Sequence, residues 1–447
     1  MTSVKGAHDA VDGATAALSH APAQAASAVA KPSRRAWGVL SLLSFVYVLN
    51  FLDRQLLSIL AYPIQQSLQI TDGQLGLISG LYFAMFYTFI AIPVGWLADR
   101  TNRVTILAVA CGIWSAATAA CGLARTYPEL VIARMTVGFG EAGGVPPSYA
   151  IITDTFAPGY RARAFGIFNL GPPIGAAVGI AFGASIAAAF DWRDAFVAVG
   201  IIGIVTAIVL KLLVRDPERG ATDLTRDADA AQPAGFVDTV RAFFGNPLLL
   251  RISLGGGVTQ FMTYGLGNFA VLFLMREKGM TLEQVAVWYA LVVGLGMGAG
   301  MLVSGTLLDR FTRRSRTAFA LAPAISLALA LPFYIGFVWA PSWQLALVLL
   351  TPTMFLNYFY LSASVALVQG EVKPNQRVLS GALMLLVMNF IGLGLGPTYV
   401  GAASDFFGRT HDNGLQLALY TLTPAFVVAI LIFLSLARRL RREPVRG

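Results

Sequence analysis

The sequence predicts an all-α membrane protein, with twelve transmembrane helices in two pseudo-symmetric six-helix bundles. Three observations carry that prediction. Hydrophobic residues make up 56% of the 447-residue chain and charged residues only 12%, whereas a soluble domain is about a quarter charged, so lipid must solvate most of this surface. The apolar residues gather into twelve runs, each near the roughly 20 residues a helix needs to cross the hydrocarbon core. Finally, the segment Gly95-Trp96-Leu97-Ala98-Asp99-Arg100-Thr101-Asn102-Arg103 returns in degenerate form as Gly305-Thr306-Leu307-Leu308-Asp309-Arg310-Phe311-Thr312-Arg313-Arg314. A repeat at half-chain spacing is the mark of two homologous membrane halves.

Taken in order, the runs fall at roughly 37–60, 74–98, 104–123, 130–153, 162–188, 194–214, 247–274, 284–308, 317–338, 343–369, 378–404 and 415–437. They predict one bundle over 31–214 and a second over 246–437. Residues 1–30 are rich in Ala, Ser and Thr and lack an apolar core long enough for a cleavable signal, so they read as a disordered tail. Residues 215–245 carry charges with Pro217 and Pro233 and form the loop between bundles, with an amphipathic piece near Phe236–Phe244 at the inner surface. Residues 438–447 form a basic tail. Many of the 45 Gly and 21 Pro sit inside the spans, which membrane helices tolerate because neighbours re-satisfy the freed backbone. Cys111 and Cys121 share one predicted helix, about 15 Å apart by helical rise, too far to pair.

The basic residues set the orientation. Most of the 32 Lys and Arg, among them Arg34, Arg35, Arg100, Arg103, Arg310, Arg313 and Arg438, fall on one side when both termini are placed in the cytoplasm. The net charge of +9 is therefore a topology signal, and no nucleic-acid partner follows from it. The repeated turns close one span and open the next on that same side. Gly95, Asp99, Arg100 and Arg103 in one copy, and Gly305, Asp309, Arg310 and Arg313 in the other, are read as inner-gate loops. Asp99 and Asp309 would cap a neighbouring helix or pair with arginines such as Arg161 or Arg377.

The turn at 95–103 resembles the signature loop of the major facilitator superfamily, with Asn102 where members carry Gly. Asn50-Phe51-Leu52-Asp53-Arg54 in the first span, Arg134-Met135-Thr136-Val137-Gly138-Phe139-Gly140-Glu141-Ala142 in the fourth, and Trp192-Arg193 before the sixth together resemble the Spinster branch. The likeness covers most of the chain and is strongest in the first half. It implies a branch that includes eukaryotic exporters of sphingosine phosphate and lysolipids, while the termini and the loop charges point to a bacterial homologue in an inner membrane. Gly171-Pro172-Pro173-Ile174-Gly175 in the fifth span resembles the superfamily's antiporter-associated Gly-Pro motif, and Gly392, Gly394, Gly396 and Pro397 look like its counterpart in the eleventh.

Acidic residues at membrane depth are rare and usually functional, and only Asp53 and Glu141 fall well inside spans. Asp53, Arg54 and Arg134 come to similar depth, with Glu141 near the midplane. Arg134, Gly138 and Glu141 are spaced i, i+4, i+7 along one helical stripe, read as lining a central cavity. A carboxylate in an apolar cavity holds its proton more readily, and a nearby guanidinium reverses that. This predicts proton coupling through Glu141, with Asp53 as partner and Arg134 as the tuning charge. A permanent Asp53–Arg134 or Asp53–Arg54 pair that only fixes packing is the competing reading. Arg54 and Arg134 also suit an anionic head group, with Tyr82, Phe86, Phe261, Tyr264, Asn268 and Tyr358 as further substrate candidates.

A secondary carrier follows, moving an amphipathic, lipid-like anionic or zwitterionic substrate by alternating access with protons. A carrier of small organic or sugar acids, or a sensor that binds without transporting, would share these features. The expectation is a monomer surrounded by lipid, with no cofactor and no metal. No phosphate-cradling Gly loop, metal cluster or nucleophile triad appears, so an enzyme is not expected.

Overall fold

The computed structural model describes residues 32–98, 100–218, 235–312, 315–373 and 376–442, and every regular element among them is helical. Helix α1 (Arg34–Ile59) opens where Ser33 Oγ accepts from Ala36 N at 3.1 Å, and a short helix Ala61–Leu68 follows it. Helix α2 comprises Asp72–Ser79 and Leu81–Ala98, opened by a capping box in which Thr71 and Gln74 answer each other's backbone N–H groups. Then come α3 (Arg103–Leu123), α4 (Tyr127–Glu141 with Val145–Thr155), α5 (Pro158–Phe168 with Gly171–Ala189) and α6 (Trp192–Leu213). The second half runs α7 (Pro247–Arg276), α8 (Leu282–Gln284 through Ala290–Thr312), α9 (Ala318–Trp339), α10 (Trp343–Asn357 with Phe359–Glu371), α11 (Arg377–Asn389 through Gly396–Gly408) and α12 (Gly414–Tyr420 with Thr423–Arg442).

Eleven helices among the described residues are long and apolar enough to cross a membrane. The twelfth crossing is α4, whose two pieces are each too short to span alone. Its break has a chemical cause. Pro146 and Pro147 have no N–H to offer the preceding turn, and the chain passes through Gly143 and Gly144 before the helix resumes. In α11 the stretch Phe390–Leu395 winds as a π-helix just before Pro397, the local rewinding expected beside a missing donor. Several helices outrun the apolar segments that predict them. Helix α12, for example, continues to Arg442, because a helix need not stop where the hydrocarbon does.

The halves have matching internal packing: α1 lies on α5 and α3 on α6, as α7 lies on α11 and α9 on α12. Glycines set these approaches. A Cβ on Gly175 would stand 2.4 Å from the Val48 carbonyl oxygen, and one on Gly179 2.8 Å from Leu52 Cα. Across the halves, α2 meets α11, α5 meets α8 and α1 meets α7. The architecture is the two-bundle, twelve-helix arrangement expected.

The amphipathic piece expected near Phe236–Phe244 is a helix, Phe236–Gly245, with Phe236, Val237 and Phe244 exposed and Phe243 buried. Cys111 and Cys121 are unpaired and buried in α3. Residues 1–30, Asp99, Arg313, and parts of the inter-bundle loop and basic tail lie outside the described residues.

Candidate functional site

Helices α1 and α4 bring four charges together inside the first half. Arg54 Nε donates to Glu141 Oε2 at 2.5 Å, and Arg134 Nη1 lies 3.8 Å from Asp53 Oδ1. Asp53, Arg134 and Glu141 are each no more than 2% exposed. Two carboxylates face two guanidiniums, so the fully ionised cluster is neutral. Neutrality is what lets four charges share a largely buried site, since an isolated buried charge is prohibitively costly.

The two pairs differ in quality. The Arg54–Glu141 contact is short and charge-assisted. The Arg134–Asp53 pair is loose: both Asp53 oxygens, and Nε and Nη1 of Arg134, lack hydrogen-bond partners. Glu141 keeps one oxygen, Oε1, without a donor. The cluster therefore has unused acceptors at its centre, the feature a site needs if a proton is to come and go.

Aromatic rings enclose Arg54. Its guanidinium carbon lies 4.5 Å from the Tyr87 ring centroid, 5.2 Å from Phe51 and 5.3 Å from Phe83, and Phe83 also faces Arg134 at 5.4 Å. These faces hold a cation by its charge without consuming its N–H groups. Helix α2 thus offers Phe83 and Tyr87 to the cluster, where the sequence reading places Tyr82 and Phe86. A shift of one residue turns a helix by about 100°, and Tyr82 instead neighbours Tyr127.

From the second half, Tyr264 stands beside Arg54 and Tyr358 beside Tyr264. Asn268 accepts from Ser58 Oγ at 2.9 Å and donates to the Tyr264 carbonyl at 2.9 Å, so it joins the halves. Phe261 packs on Tyr399 with ring centroids 5.4 Å apart. Gly171, Pro172 and Gly175 are buried against α1, where Gly171 meets Tyr47.

The hydrogen bonds that tie half to half gather toward the face opposite the described chain ends. Asp72 at the start of α2 accepts from Arg276 Nη1 and Nη2 at 3.0 and 2.6 Å, from Ser404 Oγ at 2.5 Å and from Gln65 Nε2 at 2.6 Å. Beside it Gly73 N donates to Asp405 Oδ2 at 2.9 Å, and a Cβ on Gly76 would stand 2.5 Å from the Pro397 carbonyl oxygen. This seal was missed in the sequence. Nothing local to Asp72 points to a partner 204 residues away. Above the seal opens a cavity of about 830 Å³ lined by Tyr62, Asp72, Arg276, Asp405, Arg409 and His411.

The face bearing the chain ends has ion pairs of its own among the described residues. Arg103 is buried, bonding Asp216 at 2.9 Å and also Asp154, while Arg316 pairs with Glu371. Arg377 donates to the Gln369 carbonyl at 3.1 Å and Arg161 to those of Thr153 and Phe156. Asp309 and Arg310 are exposed, and Gly305 has open space about it. Arg100 follows the first turn, exposed at the surface.

Comparison with known proteins agrees with this architecture. The family model of the Major Facilitator Superfamily matches residues 43–397. An MFS-type efflux pump of Mycolicibacterium smegmatis is 30% identical over 91% of this chain and 94% of its own. Protein spinster homolog 1 of Xenopus tropicalis is 25% identical over 88% of this chain and 78% of its own. Among solved structures, a bacterial homologue of the human lysosomal transporter Spinster, inward-facing and unoccupied, superposes with a TM-score of 0.84 at 29% identity, covering 92% of this chain and 99% of that one.

Proposed function

Since the chain belongs to the major facilitator superfamily, and is a multi-pass membrane transporter related to the Spinster proteins, we propose that it carries an amphipathic, lipid-like anion or zwitterion by proton-coupled alternating access. The observation that carries this reading is the 2.5 Å contact between Arg54 and Glu141. An anionic head group and the Glu141 carboxylate compete for one guanidinium. When Glu141 takes a proton the cluster becomes positive by one charge, and Arg54 is free to hold an anion. When the anion leaves, Glu141 ionises and closes on Arg54 again. Proton and substrate thus favour the same charge state, the condition for coupling them.

Arg134 and Asp53 serve as the tuning pair, because a cation beside Asp53 and Glu141 sets how readily either gains a proton. The rings of Phe51, Phe83 and Tyr87 and the aromatic side chains of the second half would cover an acyl chain. The basic face is assigned to the cytoplasm of a bacterial inner membrane, with residues 31–214 and 246–437 as rocking units and the Asp72–Arg276 seal on the outer side. The protein works as a monomer in this reading.

The test is purified protein in liposomes loaded with a pH dye, challenged with lysolipids, sphingoid lipids and sugar acids, with Glu141→Gln as control. Proton flux evoked by lipids and lost in the variant is the expected result. Flux evoked by sugar acids alone would replace the lipid substrate with a small acid, and binding without flux would make the protein a sensor.

A further inference from the structure

Asn357 is the second half's counterpart of Glu141. The first piece of α4 and the first piece of α10 are both 15 residues long, and they end on Glu141 and Asn357 respectively. Counting along them, Leu130, Arg134, Val137 and Glu141 correspond to Ala346, Leu350, Thr353 and Asn357, and all eight are buried. The facing helices obey a similar repeat. Ser58 of α1 bonds Asn268 of α7, 210 residues on, and at the same offset Arg54 meets Tyr264. The charged cluster of the first half thus has a neutral image, in which an amide replaces the carboxylate.

That amide is unanswered. Asn357 is 1% exposed, and neither its Oδ1 nor its Nδ2 has a hydrogen-bond partner. A buried amide able to donate and accept is rarely left empty-handed in a native core. Glu141 does not share this state, because Arg54 engages it. Two halves with the same frame therefore differ in what they offer at matching positions: charge in one, and an unused neutral donor and acceptor in the other.

We propose that Asn357 is a specificity-determining substrate contact, which holds an uncharged polar group, a hydroxyl or an amide, of the same molecule whose anion Arg54 receives. This rests on the proposed transport function and adds the substrate's second recognition point. It selects amphiphiles with a hydrogen-bonding backbone between head and chain over those with a bare alkyl link.

The test compares binding to the full-length protein in detergent of a lysophosphatidylcholine, which has a free glycerol hydroxyl, and an alkylphosphocholine, which lacks it. Glucuronate and hexanoate form a second pair for the small-acid alternative. Wild type should favour the hydroxylated member, and Asn357→Leu should lose that preference, weakening it about tenfold while leaving its partner unchanged. Asn357→Asp should keep part of the preference. The ligand-free leucine variant should also melt higher than wild type, because an unpaired amide has gone. Equal losses for both members of a pair, an unchanged preference, or a lower melting temperature would make Asn357 a packing residue and overturn the inference alone. Wild type binding no member of either pair would overturn the transport reading, and this inference with it.

Discussion

An arginine that can be claimed by either of two anions is a switch, and its setting depends on which anion is present and charged. Arg54 is in that position, held by Glu141 and ringed by aromatic faces. The sign of the pH dependence follows. Lowering the pH protonates Glu141, releases Arg54 and strengthens anion binding, so wild-type affinity should rise as pH falls. Glu141→Gln removes the competing charge and should bind an anionic amphiphile about tenfold more tightly at neutral pH, with the dependence flattened. Isothermal titration between pH 5.5 and 8.5 reads this, and an unaltered pH profile would remove Glu141 from the coupling. Arg134→Ala removes the guanidinium paired with Asp53, so it should reduce proton flux per substrate in the liposome assay. Intact coupling would reduce the Arg134–Asp53 pair to packing. At this scale the sequence exposes the four charges because any charge inside an apolar run stands out. It does not expose the rings around them, because in a span where Tyr82, Phe83, Phe86 and Tyr87 are all aromatic the face that turns inward is set by tertiary packing.

At the scale of the helix, the Gly-Pro segment of α5 acts through its missing side chains. Gly175 and Gly179 let α5 lie against the backbone of α1, directly beside Asp53 and Arg54. Gly175→Ala places a Cβ against the Val48 carbonyl and must push α1 away. The expected cost is about 1–3 kcal/mol of overpacking, seen as a lower melting temperature in detergent together with weaker substrate binding, because the moved helix carries Arg54. A variant that melts lower but binds normally would show that the close approach serves stability alone. Element positions were legible in advance because hydrophobic length is dictated by the bilayer. Interruptions were not. The break in α4 and the π-helical turn of α11 depend on how individual Pro and Gly residues resolve their backbone bonds, and an apolar run reads the same with or without a kink.

Over the whole molecule, alternating access needs one face sealed while the other is parted. The seal here is a small polar knot on Asp72 backed by glycines in direct contact with the opposing helix. Two halves related by a 210-residue repeat are visible in the chain, but the knot is not, since Asp72 and Arg276 occupy positions whose pairing only the folded arrangement creates. Their interaction makes a prediction about populations. Asp72→Asn weakens the bidentate ion pair that joins the halves at this face, while keeping an amide oxygen to accept from Gln65 within the first bundle. If the pair contributes about 1.4 kcal/mol to closure, the open fraction should rise roughly tenfold. Spin labels at Gln66 and Arg409, which line the cavity above the seal, would report the change by electron-electron distance measurement. The variant should gain a longer-distance population, and anionic substrate should redistribute the two populations in both proteins. An unchanged distribution would mean that the glycine contacts along α2 and α11 hold the face shut without help from charge, and the gate would then be a matter of shape alone.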